Sequence, residues 1–225
     1  MTRRLAIEWP DGRPFAGRDG RPIRILAASD DVDPALEHAG NREAIGPIDL
    51  VAGSGDLSPD WLGFLGDAFR APLVYVRGNH DRRDPWPAPA TLPTPATWFD
   101  DRTLPGLPLL ALPWPSFGRE VAPRDERDAW LQVLRLGPRG LLRGAAPILV
   151  LSHAPPRGAG DTPTDAYHVG FAAYRLVARR LRPPLWLHGH TSPAAQEDWR
   201  VDLGPTTFAN VTGSVLVELL PPAGR

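Results

Sequence analysis

The sequence predicts an α/β fold with one domain, in which parallel strands alternate with helices. Three short apolar segments, rich in β-branched residues, are separated by two segments that carry helix-start signals. A chain of 225 residues is long enough for one large core and short for two, and no linker or repeat divides it. We therefore expect a single domain over residues 1–225.

The first half of the chain carries this β-α-β-α-β pattern. Strands are predicted at residues 23–28, 48–52 and 73–76. Between them, Asp33-Pro34 and Ser58-Pro59 each combine an N-cap residue with proline at the first helical position. The pattern predicts right-handed crossovers and a parallel sheet. Residues 1–21 are rich in turn residues, and we expect a short lead-in or hairpin there.

The second half is less regular. It begins with a proline-rich loop at 84–97, a strand at 107–112, a helix at 125–136 and a strand at 147–151. A helix follows, whose apolar face carries Phe171, Tyr174, Ala178 and Leu181. The last predicted elements are a strand at 185–187 and two strands joined near Gly213 between residues 206 and 220.

Composition excludes several chemistries. The chain has no cysteine, which rules out disulfides, thiolate metal sites and cysteine nucleophiles. All 25 basic residues are arginine, so Schiff-base chemistry on lysine is excluded as well. A net charge of -1 gives no bulk attraction to nucleic acid or to an anionic membrane. The apolar runs are strand-sized and no secretory signal is evident, so we expect a cytoplasmic protein without a membrane span.

Polar side chains of ligand type follow five of the predicted strands. These strand-end segments are Ser29-Asp30, Gly55-Asp56, Gly78-Asn79-His80-Asp81, Ser152-His153 and His188-Gly189-His190. The carboxyl ends of strands in an open α/β sheet meet at one edge, where such folds place their sites. Aspartate, asparagine and histidine together suit Mn, Fe or Zn. The sequence therefore predicts a metal site at this edge.

The order and spacing of these segments resemble the calcineurin-like metallophosphoesterases, over roughly residues 23–193. A bacterial subgroup of that family is similar in three further stretches. They are Ser29-Asp30-Asp31-Val32-Asp33-Pro34, His153-Ala154-Pro155-Pro156-Arg157-Gly158 and His168-Val169-Gly170-Phe171. The resemblance implies a four-layer αββα sandwich of two mixed β-sheets, and a hydrolase of phosphate mono- or diesters in which a metal-activated hydroxide attacks phosphorus in line.

The resemblance also implies roles for individual residues. The metal ligands would be Asp30, Asp56, Asn79, His153 and His190. Asp56 would bridge two ions; Asn79, His153 and His190 would complete the second site, and Asp30 would belong to the first. His80 would contact the phosphate and protonate the leaving oxygen. The expected cofactor is one or two divalent ions, and the expected partner is a small phosphorylated substrate. Nucleic acid is limited to short single strands, because no basic stripe marks a duplex path.

Two departures from the family pattern fall on the first metal site. Val32 and Ser192 stand where the family has histidines, so this site would keep only Asp30 and Asp56. The enzyme would then be mononuclear or slow. The alternative is a degenerate regulatory module that binds a metal or a nucleotide without hydrolysis.

Three residues could replace the missing ligands. Asp31 would point to the opposite face of the strand from Asp30, and Asp33 is better explained as the N-cap. His188 is the strongest candidate, because it would share a face with His190, and a shifted register would make these two the ligand pair. The unshifted register is favoured because Gly189 directly precedes His190.

Other side chains near the motifs have two readings each. Arg82, Arg83 and Arg157 flank the metal-binding segments and could grip a phosphate, but each alone is better explained as a surface arginine. His168 could face the site, but it is more simply a structural residue that caps the start of the next helix. Trp86 and Trp114 could wall a pocket, although aromatic packing is the commoner use.

Overall fold

A computed structural model describes residues 2–81, 92, 98–100, 104–116, 123–136, 146–192 and 199–223. The chain forms two mixed β-sheets stacked face to face, with helices on both outer faces, which confirms the α/β sandwich. Sheet A has the order β1 (Arg3–Glu8), β11 (Gly213–Leu220), β2 (Ile23–Ser29), β3 (Leu50–Gly53) and β4 (Leu73–Tyr75). Sheet B has the order β5 (Trp98–Asp100), β6 (Leu109–Leu112), β7 (Leu149–Ser152), β8 (Leu185–His188), β10 (Thr206–Asn210) and β9 (Arg200–Leu203).

Three apolar layers hold the sandwich together. Side chains alternate along each strand, so Ile25 faces the other sheet while Leu26 faces the helices. The layer between the sheets joins Ile25 to residues such as Leu151 of β7. Because the central strands are buried on both faces, their sequences are continuously apolar. This agrees with the apolar segments from which these strands were predicted.

The described helices are α1 (Ala39–Ile45), α2 (Pro59–Phe69), α3 (Glu126–Arg135) and α4 (Ala172–Leu181). Helix α2 begins where its capping signal predicted. Ser58 caps α2 by accepting a hydrogen bond from the backbone N–H of Trp61, and Asp125 caps α3 in the same manner. Asp33 caps only a short 3₁₀ turn, Pro34–Glu37, and α1 starts after it. No helix among the described residues is long and apolar enough to cross a membrane.

One expectation about the strands is wrong. Residues 1–21 are not a simple lead-in or hairpin, because β1 runs parallel to β11 over six paired residues. The two strands of the tail are joined near Gly213, as predicted, with β10 in sheet B and β11 in sheet A. Strands β2, β3 and β4 pair in parallel, as predicted, and sheet A is mixed because β11 is antiparallel to β2. These pairings join residues distant in sequence, which local patterns do not encode. The proline-rich loop predicted at 84–97 falls almost wholly outside the described residues.

Candidate metal centre

The predicted strand ends converge at one edge of the sandwich. Within sheet A, the backbone N–H of Asp30 donates to the carbonyl of Gly55 at 3.1 Å. Within sheet B, the N–H of Gly189 donates to the carbonyl of His153 at 2.9 Å. The N–H of His190 donates to Asp30 Oδ2 at 2.9 Å, which joins the two sheets. The loops after four separate strands are therefore fixed to one another.

His153 stands at the centre of this edge and is fully buried. Its Nδ1 lies 2.8 Å from the carbonyl oxygen of Ser54, so Nδ1 carries a hydrogen and Nε2 faces the cleft. Nε2 lies 2.7 Å from Asn79 Oδ1 and 3.2 Å from Asp56 Oδ2. Two oxygen acceptors thus converge on one ring nitrogen. This arrangement calls for a positive charge between them, either an added proton or a metal ion.

The ionisation of these groups reflects the same geometry. Burial opposes the charged form of His153, but the hydrogen bond and negative charge of Asp56 outweigh it and raise the pKa of His153 to about 9. Burial likewise opposes the charge on Asp56. The hydrogen bonds from His153 and from the backbone N–H of His80 outweigh this effect of burial and lower the pKa of the Asp56 carboxyl. Without a metal, the pair is an aspartate against a protonated imidazole.

Asp81 holds the two loops of this half together, a role that the sequence analysis missed. Its Oδ2 accepts the backbone N–H groups of Asp56 at 2.8 Å and of Gly78 at 2.7 Å. Burial is the main cause that raises the pKa of Asp81. The available signal was its place at the end of Gly78-Asn79-His80-Asp81. The N–H of His80 also donates to Asp56 Oδ1 at 2.8 Å, so the segment orients Asp56 as well as supplying Asn79.

Asp30 sits in a different environment. Its Oδ2 accepts hydrogen bonds from Ser29 Oγ at 2.5 Å, from the N–H of His190 at 2.9 Å and from Thr212 Oγ1 at 3.4 Å. Buried Asn210 supports this cluster: its Nδ2 donates to the carbonyl of Thr191 at 2.7 Å and its Oδ1 accepts the N–H of Thr212 at 2.9 Å. Asn210 was not predicted, although it also ends a strand at the same edge.

His190 lies beside the centre, and His188 points away from it. The ring centroid of His190 is 5.0 Å from that of His153, and its Nε2 lies 2.8 Å from the carbonyl oxygen of Tyr167. Burial lowers the pKa of His190 to about 3, which leaves it neutral. His188 is fully buried against Gly160, and burial lowers its pKa to about 4. The φ of 67° at His190 ends the strand alternation, so the expected shared face of the two histidines is wrong.

Of the other candidate residues, some have structural roles and some lie beside the candidate metal centre. Asp33 accepts the N–H of Ala35 at 3.0 Å, as the N-cap reading predicted. His168 does not start the helix: its Nδ1 lies 2.5 Å from Asp165 Oδ2, and its ring centroid lies 5.1 Å from that of His190. Trp114 packs its ring 4.8 Å from His190 and 5.3 Å from Phe171, so it is both core and site wall.

The remaining candidates lie at the surface or outside the described residues. Asp31 and Ser192 are exposed, and Val32 is 46% exposed. Arg157 contacts Glu126 and the carbonyl of Gly170. Arg82, Arg83 and Trp86 are not among the described residues.

Backbone strain and close packing concentrate at this edge. Asp30 and Asp56 have φ values of 58° and 56°, in the left-handed region that non-glycine residues rarely occupy. A Cβ added at Gly78 would lie 2.1 Å from Asp56 Oδ1, and one at Gly189 would lie 1.9 Å from Ser29 Oγ. Glycine is required at both positions because the backbone presses directly on the carboxylate loops.

The donor set fits a divalent cation. Among the described residues, Asp30, Asp56 and His153 each offer a ligand atom, and these atoms all lie within 4.8 Å of one another. Asn79 Oδ1 adds a neutral oxygen beside His153 Nε2. Hard oxygens with one imidazole nitrogen match the preferences of Mn, Fe and Zn. Fold and site together define an αββα sandwich whose strand ends bring together residues that could hold a metal ion.

Comparison with known proteins places the chain within a family. The family model for the calcineurin-like phosphoesterases matches residues 38–193, more than half of the sequence. The chain therefore belongs to the calcineurin-like phosphoesterase family, as its motifs predicted. The match begins after Asp30. No curated protein matches the sequence.

One solved structure supports the fold. A dimetal phosphatase from Danio rerio is 13% identical, with a TM-score of 0.50, and the alignment covers 86% of this chain and 88% of that one. A Vps29 single mutant from Entamoeba histolytica is 14% identical, with a TM-score of 0.39, and the alignment covers 85% of this chain and 74% of that one. At these identities the likeness concerns the fold alone.

Proposed function

We propose that this protein hydrolyses phosphate mono- or diesters with a divalent metal held by Asp56, Asn79 and His153. One observation carries the proposal: the oxygens of Asp56 and Asn79 converge on Nε2 of a buried histidine whose Nδ1 is occupied by Ser54. Membership of the calcineurin-like phosphoesterases supports phosphorus as the centre of attack. The fold shared with a dimetal phosphatase is consistent with it.

A bound divalent ion would supply a water of lowered pKa and would stabilise charge on the phosphoryl oxygens. The protein's own residues position the parts. Ser54 fixes the ring of His153, and Asp81 fixes the backbone of Asp56 and Gly78. Trp114 and His190 close one side of the centre against water.

His80 is the candidate proton donor. Its backbone N–H binds Asp56 while the residue as a whole is exposed, so the imidazole is anchored beside the metal ligands and remains accessible to a substrate. General acid catalysis matters most when the leaving group is a poor one. We expect His80→Asn to slow hydrolysis of an alkyl phosphate roughly 100-fold and of p-nitrophenyl phosphate far less. Equal losses on both substrates would contradict this role.

The direct test of the proposal is turnover with defined metals. p-Nitrophenyl phosphate and bis-p-nitrophenyl phosphate are assayed with Mn, Fe, Zn, Co and Ni added to metal-stripped protein. We expect turnover with at least one metal and its loss in His153→Ala. His38→Ala, an exposed histidine outside the centre, is the matched control and keeps its activity. No turnover with any metal, or full turnover in His153→Ala, would refute the proposal.

A second candidate follows from the state of Asp30. Its Oδ2 is satisfied by three protein donors, and Val32 is 46% exposed where the family pattern has a histidine. A site built in this manner supports one firmly bound metal, which an active mononuclear enzyme and a regulatory module without hydrolysis would share. Elemental analysis combined with the assay separates them. One metal per chain with turnover supports the mononuclear enzyme, and one metal with no turnover supports the module.

A further inference from the structure

A second cavity lies between α4, the loop that follows β7 and the turn that joins β9 to β10. Its volume is about 480 Å³, within the range of small-molecule sites. Asp30, Asp56, Asn79 and His153 do not line it. The cavity is therefore distinct from the metal centre, and nothing in the proposed hydrolysis uses it.

Arginine dominates the cavity wall. Arg157, Arg175, Arg179 and Arg182 line it, and none of the described lining residues is acidic. Arg175 and Arg179 are four positions apart on one face of α4, and Arg182 is the C-cap that ends the helix. The sequence has no Asp or Glu between Asp165 and Glu197, so the helix supplies no counter-charge of its own. Like charges at this spacing repel and weaken a helix.

Helix electrostatics accounts for only part of this cluster. Arg179 lies in the last turn of α4, where a cation favours the negative end of the helix dipole. Arg175 is in the first half of the helix and gains nothing from the dipole. No ion pair between described residues includes Arg175, Arg179 or Arg182. An anion in the cavity would offset this repulsion.

The cavity also has a fixed frame and an apolar wall. Arg157 is held by Glu126 at 3.3 Å and by the carbonyl of Gly170 at 3.3 Å, so its guanidinium is oriented in advance. Buried Phe208 and half-exposed Leu203 also line the cavity and give it apolar surface. A planar or apolar group can pack there while arginine binds an anion.

We propose that this cavity binds a small organic phosphate of nucleotide size. The arginines bind the phosphate, because a guanidinium fork matches phosphate oxygens in two-point contacts. The planar part of the ligand packs on Leu203 and Phe208. Inorganic phosphate alone would leave that wall unused, and a neutral nucleoside would leave the arginines unpaired.

The test uses AMP, adenosine and inorganic phosphate as probes on protein stripped of metal with a chelator, so that the metal centre does not contribute. Isothermal titration calorimetry should show saturable AMP binding, and at least about tenfold weaker binding of the other two probes. Arg175→Gln combined with Arg179→Gln should weaken AMP binding at least about tenfold. Arg180→Gln, on the same helix but outside the cavity lining, is the matched control and should bind AMP as the wild type does.

Two further measurements separate this site from the metal centre and from misfolding. His153→Ala should bind AMP unchanged, so the result does not depend on the proposed hydrolysis. Thermal unfolding of the arginine double variant should match or exceed the wild type, since repulsion within α4 is removed. Any of four results would overturn the proposal. These are undiminished AMP binding in the double variant, an equal loss in Arg180→Gln, binding of adenosine or inorganic phosphate as tight as that of AMP, and the absence of saturable AMP binding.

Discussion

The two halves of the metal centre satisfy their carboxylates in opposite ways. At Asp56, one oxygen accepts a backbone N–H and the other faces the ring nitrogen of His153, which Asn79 Oδ1 also approaches. At Asp30, one oxygen accepts hydrogen bonds from a serine hydroxyl, a backbone N–H and a threonine hydroxyl. The Asp56 half concentrates acceptors around one nitrogen, whereas the Asp30 half supplies its own donors.

This difference indicates where a cation is needed. Acceptors that converge without enough donors carry an electrostatic cost that a metal ion removes. A carboxylate that already receives several hydrogen bonds gains less from a metal, because those bonds must be kept or exchanged. The Asp56 half should therefore bind metal firmly, and the Asp30 half should bind it weakly.

The largest expected effect comes from an isosteric exchange in each half. We expect Asp56→Asn to lower turnover roughly 1,000-fold and to lose the metal, since exchanging even an outer partner of a metal site costs about 10–100-fold. Asp30→Asn should cost only about tenfold and keep one metal per chain. Steady-state kinetics and elemental analysis measure both. Equal losses of turnover and metal in the two variants would contradict the predicted difference between the Asp56 half and the Asp30 half.

The second effect tests whether His188 serves the Asp30 half. Its lowered pKa, about 4, means that the unfolded chain binds more protons than the folded chain between about pH 6.5 and 4. His188 therefore favours folding above about pH 6.5, and this contribution falls by up to about 3 kcal/mol as the pH drops to 4. His188→Asn should flatten that acid loss, measured by urea unfolding, and should leave metal content unchanged. Loss of metal in this variant would make His188 a ligand.

The third effect concerns protons released on metal binding. A ligating histidine must be neutral, and the pKa of His153 is raised to about 9. At pH 7, metal binding should release close to one proton, and affinity should rise about tenfold per pH unit up to about pH 9. In metal-free protein, the stability from this raised pKa is present below about pH 6.5 and is lost as the pH rises through 9.

Calorimetry in two buffers of different ionisation enthalpy measures this proton. The proton should remain in His190→Ala, because His190 is already neutral, and should vanish in His153→Ala. Release that persists in His153→Ala would assign the proton to another group.

The sequence predicted the positions that local chemistry determines. Strand ends at Asp30, Asp56, Asn79 and His153 follow from apolar segments that stop at polar residues, and the structure brings these four together. The N-cap role of Asp33 followed from the proline after it. The predicted ligand roles of these residues, and of His190, await a structure with metal bound.

The sequence did not predict what depends on contacts between distant segments. Asn210 and Thr212 support Asp30 only because β10 and β11 enter different sheets at that point. Asp81 accepts a hydrogen bond from the backbone N–H of Asp56, which lies 25 positions earlier in the sequence. His188 was expected to share a face with His190, and the left-handed φ of His190 breaks that alternation. Such features are set by tertiary packing, which hydrophobic periodicity does not record.

The smallest expected effect comes from restoring the ligands that the family pattern contains. Val32→His combined with Ser192→His should raise metal content from about one to about two per chain and turnover about tenfold, because a second ion would add charge stabilisation on the phosphoryl oxygens. Val32→Ala with Ser192→Ala is the matched control and should change neither quantity. Asp30 must first exchange hydrogen bonds from Ser29, His190 and Thr212 for the new ion, which limits the gain. If the histidine pair adds no metal, the hydrogen bonds to Asp30 prevent metal binding at that half. Adding Thr212→Val to the histidine double variant should then allow the second metal to bind.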